Sequence, residues 1–363
     1  MIAGVVIILL FYVVLILGLA YGFTRSRICK PSGTGQPATR FSVVIPFRNE
    51  AENIPGLLES LSALEYPRDM FEVILVDDES DDHYEIPAHN LNLRVLPNLR
   101  RSTSPKKDAL KTAISVARYD WIVSTDADCR VGTKWLTTLD SFIKSKSVVM
   151  VAGAVRFDQE DHFLNHFQQL DLLSLQGATI GSFGLGRPLM CNAANFAYTK
   201  SLFQDLNGFE GNQNHPGGDD VFLLHKAIKT MSGKIGYLMS PDFIVGTRAE
   251  HNWKDLFLQR VRWASKGSAY RDHFAKICAL IVLLGNIATI TAAIMLMFEW
   301  TPLLFGILML RVLADFLLIG QAATFLQRKT HWYIPVAIIY PLFSTVAGVW
   351  SLWGKFEWKG RKF

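Results

Sequence analysis

WIVSTDAD, residues 121–128, is a short apolar, β-branched run that halts on two aspartates one residue apart. A run of this length and composition reads as a buried strand over residues 121–125. Side chains two positions apart in extended chain share a side, so Asp126 and Asp128 can face one hard cation. Oxygen ligands of that kind suit Mg2+ or Mn2+ bridging to a diphosphate. An isolated D-x-D triplet describes solvated turn acids equally well. Its place at the end of a strand favours the metal reading.

Upstream, FSVVIPF (residues 41–47) is a second buried strand, followed by a helix over 50–64 with Ile54, Leu57, Leu58 and Leu61 at helical spacing. EVILV (72–76) is a strand that stops on Asp77 and Asp78, residues 93–96 form a short strand, and 106–118 a helix. Strands alternating with helices predict a parallel sheet covered on both faces. Ligands of such sheets lie beyond the carboxyl ends of the strands, and two of these strands end there in paired aspartates. GxGxxG and GxxxxGK[ST] are absent, so a nucleotide's phosphates need something other than a glycine loop.

Downstream, Asp219 and Asp220 follow Pro216-Gly217-Gly218 and precede VFLLHKAI, the pattern of a loop opening a helix. Helix N-terminal charge is one reading. The other is a general base that takes a proton from an attacking hydroxyl. Gln259-Arg260-Val261-Arg262-Trp263 lies in a helical run from Trp253 to Tyr270. Gln259, Arg262, Trp263 and Lys266 share one face, while Trp253, Leu256, Phe257 and Val261 cover an apolar one. A basic amphipathic helix on a membrane and an arginine face for diphosphate oxygens are both compatible with that pattern.

The ends of the chain have a different composition. Residues 2–22 carry no charge over a length that spans a bilayer at about 1.5 Å per residue. They lack the basic n-region of a cleavable signal, so they read as an anchor. Positive residues follow (Arg25, Arg27, Lys30), which places the N-terminus outside and the next domain in the cytosol. Residues 277–298, 302–326 and 332–353 are further apolar segments. Four full crossings would leave the basic tail KFEWKGRKF outside, against the positive-inside rule. Pro335 and Pro341 mark the last segment as a candidate broken or re-entrant helix. Arg311 and Asp315 sit one helical turn apart, as an internal ion pair or as the polar lining of an acceptor site.

Composition fits a mixed protein: 363 residues, 50% hydrophobic, net charge +5, mean hydropathy +0.21. Basic residues cluster near the apolar segments, as anchoring to anionic headgroups requires, again at Arg328, Lys329, Lys355, Lys359, Arg361 and Lys362. No nucleic-acid motif or basic stripe marks the middle of the chain. Cys29, Cys129, Cys191 and Cys278 are scattered, with no zinc spacing or disulfide framework. His215 and His251 read as loop and packing residues, and Phe163, Phe167, Leu170 and Leu173 as an apolar helix face.

The ordered set Asp77/Asp78, Asp126-x-Asp128, Asp219-Asp220 and Gln259-x-x-Arg262-Trp263, opened by VVIPFRNE (43–50), resembles family 2 glycosyltransferases over residues 41–270. The flanking spans resemble its membrane branch of cellulose, hyaluronan and ceramide-glucoside synthases. The resemblance implies an α/β GT-A nucleotide-sugar-binding (Rossmann-like) domain with transmembrane helices at both ends. Pro46, Arg48, Glu50, Asp77 and Asp78 would line the nucleotide pocket, with Asp77 near the base. Lys106 would sit near the phosphates, Asp126 would contact the nucleotide-sugar, and Asp128 would bind Mg2+ or Mn2+ with it. Asp220 beside Asp219 would be the base, and Gln259, Arg262 and Trp263 would hold the diphosphate and acceptor end. Pro105 stands where the family often has glycine, which leaves Lys106 and Lys107 as alternatives. Asp219 stands where the family often has glutamate.

The implied activity is inverting transfer from a nucleotide-sugar, by resemblance a UDP-sugar, to a lipid or lipid-linked acceptor at the cell's inner membrane, with no nucleic-acid partner. A processive polysaccharide synthase and an inactive membrane scaffold are the alternatives. The expected order is an anchor (1–23), a catalytic domain (40–250), an interfacial helix (251–275), two or three spans (277–354) and a basic tail (355–363).

Overall fold

The computed structural model describes residues 1–29, 36–158, 161–213, 215, 217–268, 272–353, 357–358 and 361–362. Lys30, Pro216, Tyr270, Lys355 and Lys359 of the readings above lie outside the described residues. In chain order the elements are α1 (Ile2–Arg25), β1 (Phe41–Phe47), α2 (Ile54–Ser62), β2 (Phe71–Asp77), β3 (Leu93–Pro97), α3 (Pro105–Val116), β4 (Trp121–Ser124) and α4 (Trp135–Ser145). Then come β5 (Met150–Gly153), β6 (Val155–Phe157), α5 (Phe163–Gly184), β7 (Phe196–Thr199), α6 (Lys200–Asp205), α7 (Asp219–Met231), β8 (Ile235–Leu238) and β9 (Val245–Thr247). The chain continues through α8 (Trp253–Ser268), α9 (His273–Phe298), α10 (Pro302–Leu326) and α11 (Tyr333–Trp350) to the short pair β10 (Glu357–Trp358) and β11 (Arg361–Lys362). These elements fall into two compact units.

The first unit comprises Arg27–Asp158 and Met190–Arg248. Its main sheet has the order β3-β2-β1-β4-β7-β5-β8. Strands β3, β2, β1 and β4 are mutually parallel, as the alternation with helices predicts. Strand β7 departs from that prediction, running antiparallel to both β4 and β5. The reason is local. Ser124, the last residue of β4, pairs with Phe196, the first of β7, and its hydroxyl donates to the Ala193 and Phe196 carbonyls at 2.8 and 3.1 Å. The chain re-enters the sheet at the carboxyl end of β4 and so must run back along it.

Alternating residues of β1, β2 and β4 (Phe41, Val43, Ile45, Val73, Leu75, Val123) meet Leu57, Leu58 and Leu61 of α2 and Trp135, Leu136 and Leu139 of α4 in one core. Each such side chain contributes about 1.5–3 kcal/mol on burial. Helix α2 starts at Ile54, later than the expected 50, because residues 51–53 form a turn first; Pro55 then occupies a first-turn position that needs no N–H. A second sheet, β6 beside β9, binds the segment after β4 through paired hydrogen bonds between Arg130 and Gly246 (2.8 and 2.9 Å).

The second unit comprises Met1–Ser26, Gln159–Leu189 and Ala249–Phe363. Four of its helices, α1, α9, α10 and α11, are long and apolar enough to cross a membrane. With 24, 26 and 25 residues, the first three reach about 36–39 Å, whereas the 18 residues of α11 reach about 27 Å. Helix α11 is one unbroken helix with Pro341 inside and Pro335 in its first turn, so the broken-helix alternative does not hold. Helix α5 packs on α1 where Gly22 meets Gly181 and Gly184: a Cβ at any of the three would collide with a backbone carbonyl of the other helix. Close approach through small residues is how helices associate in lipid. Phe167, Leu170 and Leu173 are buried, as their spacing predicts, and Phe167 meets the rings of Trp253, Tyr340 and Phe343.

Arg311 and Asp315 are 3.7 Å apart and both have further partners. Tyr12 donates to Asp315 at 2.8 Å, and Arg311 donates to Asn286 at 2.7 Å and lies over the Tyr12 ring. The cluster joins α1, α9 and α10. An internal lock on helix packing describes it better than a lining, since removing one partner of a buried pair leaves an uncompensated charge at about 3–5 kcal/mol.

Candidate active site

Strands β1 and β2 end side by side, with Phe47 opposite Asp77. Arg48, the next residue, is buried and donates to the carbonyls of Asp78 (2.8 Å) and Glu79, and pairs with Asp81 at 2.6 Å. It therefore clamps the loop after β2. Asn49 (φ +52°) reinforces the clamp, accepting from the Asp81 N–H at 2.7 Å. Asp77 accepts from the Ser80 N–H (2.9 Å) and the Tyr84 hydroxyl (3.4 Å); burial and then Asp77 push the Tyr84 phenol up. Asp78 is buried, accepts from Asn98 at 2.6 Å and lies 3.6 Å from Arg100. Pro46 is half-buried, in register with Val76.

At β4 the sequence reading needs a correction. The strand stops at Ser124, and Asp126 and Asp128 lie in the turn that follows, closed by the Cys129 N–H on the Asp126 carbonyl at 3.2 Å. Strand alternation does not bring their carboxylates together; the turn does. Asp126 accepts from Lys106 at 2.6 Å. Asp128 accepts from the Thr247 hydroxyl at 3.2 Å, which β9 delivers from 119 residues away. Burial, then the charges of Asp126 and Glu50, push the Asp128 carboxyl up to about 6. Glu50 itself accepts from Asn53 at 2.6 Å.

Asp219 and Asp220 open α7, as expected. Gly218 precedes them at φ +69°, a left-handed conformation that suits glycine, and a Cβ there would meet the Phe222 ring. Both acids are buried, and Asp220 accepts from the Ala193 N–H at 3.0 Å. Lys106, near the start of α3, joins the two acidic loops. Burial opposes its charge, yet Asp126, Asp219 and Asp220 outweigh that and hold the ammonium well above the usual lysine range. Lys107 faces elsewhere: it is fully buried, donates to the carbonyls of Asn212 and His215 at 2.7 Å each and lies over Phe222. Of the two lysines, Lys106 is the one among the acids.

Glu50, Asp126, Asp128, Asp219 and Asp220 are thus linked through Lys106 and Asp126. Among the described residues no three His, Cys, Asp or Glu groups are placed to hold an ion by themselves. Asp126 and Asp128 fit a cation that takes one or two carboxylates and completes its shell with water and phosphate oxygens, as Mg2+ does. Their mutual repulsion is what such an ion would relieve.

Gln259, Arg262 and Trp263 lie on α8, in the other unit. Arg262 and Trp263 are half-buried, and Arg260 stacks on the Trp263 ring 4.2 Å from its centroid. Arg260 is buried with Leu256 and Val261, and pairs with Asp171 of α5. The sequence reading passed over Arg260, Asp171 and Thr247. The signals for the first two were present: Arg260 stands one turn after Leu256, and Asp171 is a lone acid in an apolar helix. Thr247 carried none. His251 and His215 are exposed, and the His215 ring rests near Phe222.

Residues 42–206 match the model of glycosyl transferase family 2. The chain is 24% identical over 283 residues to poly-beta-1,6-N-acetyl-D-glucosamine synthase of Staphylococcus epidermidis, a match covering 73% of this chain and 65% of that protein. It is 31% identical over 121 residues to glycosyltransferase AglE of Haloferax volcanii, covering 32% and 39%. Among solved structures, mannosyltransferase PcManGT of Pyrobaculum calidifontis, in complex with GDP-Man and Mn2+, superposes with TM-score 0.60 at 20% identity over 97% of this chain and 99% of that one. That likeness extends the shared fold to nearly the whole chain. Residues 42–206 are therefore a family 2 glycosyltransferase domain of GT-A-like fold, carried on a chain related to other sugar transferases of that family.

Proposed function

We propose that the chain is a metal-dependent, inverting glycosyltransferase of the cell's inner membrane. It transfers one sugar from a nucleotide-sugar, a UDP-sugar by family resemblance, to a hydroxyl of a lipid or lipid-linked acceptor. The observation that carries the reading is the Lys106 hub, which joins Asp126 to Asp219 and Asp220 beside Asp128.

Asp220 is the base. Its carboxylate is oriented by the Ala193 N–H on one oxygen and the Val221 N–H on the other. It takes the proton as the acceptor oxygen bonds to the anomeric carbon and the bond to the diphosphate breaks on the opposite face. A single displacement of this kind inverts the anomeric centre. Mg2+ or Mn2+ held by Asp126 and Asp128 would supply positive charge to the departing diphosphate. Lys106 keeps Asp126 in place and adds a second cation near that charge. Asp77, Asp78, Arg48 and Pro46 shape the nucleotide pocket, with Arg48 acting through the 78–81 loop it clamps.

The catalytic domain lies in the cytosol. Arg25 ends α1 and Arg27 follows it, and Arg328 and Lys329 follow α10, while the α9–α10 link carries Glu299 and no basic residue.

A second reading, a processive synthase, is favoured by the relative named as a polysaccharide synthase. A donor screen in membranes separates the readings, with UDP-glucose, UDP-N-acetylglucosamine and GDP-mannose supplied with and without Mn2+. Metal-dependent release of nucleoside diphosphate and a single-sugar glycolipid support transfer to a lipid. A ladder of long products supports the synthase, and no release with any donor sinks both.

A further inference from the structure

The small sheet of β6 and β9 has two faces of opposite character. Val155 pairs with Val245, and Phe157 with Thr247. Val155, Phe157 and Val245 are buried, and the Thr247 hydroxyl donates to Asp128, so this face looks into the domain. Arg156 pairs with Gly246, and on the other side of β9 Gly246 pairs with Arg130. Paired residues on neighbouring strands point to one face, as do residues two apart on one strand. Arg130, Arg156 and Arg248 therefore share the outer face. The ladder runs one residue past β6, where the Asp158 N–H donates to the Thr247 carbonyl at 2.9 Å, and this brings Asp158 to the same face.

Gly246 is the floor between the arginines. A Cβ there would lie 3.1 Å from Oδ1 of Asp158 and 4.0 Å from Cβ of Arg130, so both side chains flank it. Arg130 reaches over α2, where a Cβ on Gly56 would collide with its guanidinium, and its Nη1 donates to the Cys129 carbonyl at 2.8 Å. Arg130 and Arg248 are close enough to repel: burial and then the Arg248 charge push the Arg130 guanidinium down, against the pull of Asp158. Neither arginine has an ion-pair partner among the described residues.

Three arginines and one aspartate leave a surplus of two positive charges on this face. A phosphate monoester carries about −1.5 to −2 at pH 7 and offers three acceptor oxygens, so it balances that surplus. Guanidinium forks bind such oxygens bidentately. A carboxylate brings a single charge and would leave the face cationic.

We propose that Arg130, Arg156 and Arg248 form a phosphate-binding site on the outer face of the β6–β9 sheet, with Gly246 as its floor, for the terminal phosphate of a monoester. The site lies wholly within the unit of Arg27–Asp158 and Met190–Arg248, and it stands whether or not the chain transfers sugar. Free phosphate and a lipid that ends in phosphate share this chemistry.

Melting of the full chain in phosphatidylcholine nanodiscs, with EDTA present, tests the site. Inorganic phosphate is expected to raise the melting temperature of the wild type above that in chloride of equal ionic strength. Arg248→Gln, at an exposed position, is expected to raise the half-saturating phosphate concentration about tenfold, the worth of one charge-assisted hydrogen bond. Arg130→Gln combined with Arg248→Gln is expected to abolish the shift, whereas Lys106→Met leaves it intact. A shift that survives in the double variant and disappears in Lys106→Met overturns the proposal, because phosphate then sits at the acidic loops. Absence of any shift in the wild type overturns it too. Should the double variant fail to fold, the Arg248→Gln titration decides, and an unchanged half-saturating concentration overturns the site. Exchanging part of the phosphatidylcholine for phosphatidic acid assigns the source. A raised melting temperature with no further response to free phosphate supports the site with a lipid as its ligand, and an unaltered phosphate response supports it with a soluble one.

Discussion

Charge is arranged in opposite ways in the two units. Around Lys106 the acids outnumber the cation they share: Asp126, Asp219 and Asp220 act on it, while Asp126 and Glu50 act on Asp128. The repulsion is visible in the Asp128 carboxyl, pushed up to about 6 by burial, Asp126 and Glu50. In the unit that holds the long apolar helices the buried charges balance. Arg311 has Asp315, Asn286 and Tyr12; Arg260 has Asp171, Gln259 and Trp263. A buried cluster with surplus charge is costly unless a ligand of opposite sign completes it, whereas a balanced one is complete as it stands. On the proposed reading the first arrangement suits a ligand of opposite sign, while the second serves packing.

The contrast breaks most visibly at Asp220. Asp220→Asn keeps an acceptor for the Ala193 N–H but removes the proposed base, so on that reading transfer is expected to fall by about 10^2–10^4-fold. Donor affinity, measured by nucleotide competition, should stay within threefold. Near-normal turnover would remove Asp220 from the mechanism.

Asp128 sharpens the contrast through pH. Its folded-state carboxyl titrates at about 6, against an ordinary 3.8. A carboxyl raised on folding binds its proton more tightly in the fold, so it costs stability as pH rises from 3.8 to about 6 and the full cost persists above that. Asp128→Asn is therefore expected to stabilise the metal-free protein at pH 8 by about 1–2 kcal/mol and to have little effect at pH 4. Mn2+ affinity of the wild type should weaken as pH falls through 6, because the cation competes with the proton. Melting curves and Mn2+ titrations at several pH values check both; a melting temperature lowered at pH 8 by the substitution would contradict the surplus-charge account.

The two lysines give the smallest and most local comparison. Lys106→Met should lower turnover at least tenfold and also lower the melting temperature of the metal-free protein, because Asp126, Asp219 and Asp220 lose the cation they share. Lys107→Met should lower the melting temperature alone. It leaves the Asn212 and His215 carbonyls without their donor, a loss of about 1–3 kcal/mol, and spares the acidic loops. Equal effects of the two substitutions on turnover would erase the distinction.

Short-range pattern made much of this legible. The apolar runs of β1, β2 and β4 and the i, i+3, i+4 leucines of α2 are local features, and the parallel half of the sheet follows from their alternation. Apolar stretches of sufficient length announced the four apolar helices, and Asp219-Asp220 after two glycines announced the start of α7. Long-range pairing was not legible. The antiparallel entry of β7, the Thr247 hydroxyl on Asp128 and the Asp171 partner of Arg260 join positions tens to more than a hundred residues apart. The D-x-D triplet shows the boundary well: the sequence placed its aspartates on strand geometry, but a turn after β4 holds them.

The sequence by itself determined which residue types carry charge into the interior and which segments are strands, helices or apolar spans, because those depend on composition and period. Only the tertiary structure decided which charges meet. It chose Lys106 over Lys107 for the acids and bound Gln259 between Glu250 and Arg260. The physical reason is that electrostatic energy depends on distance through space and on burial, and neither is a property of position along the chain.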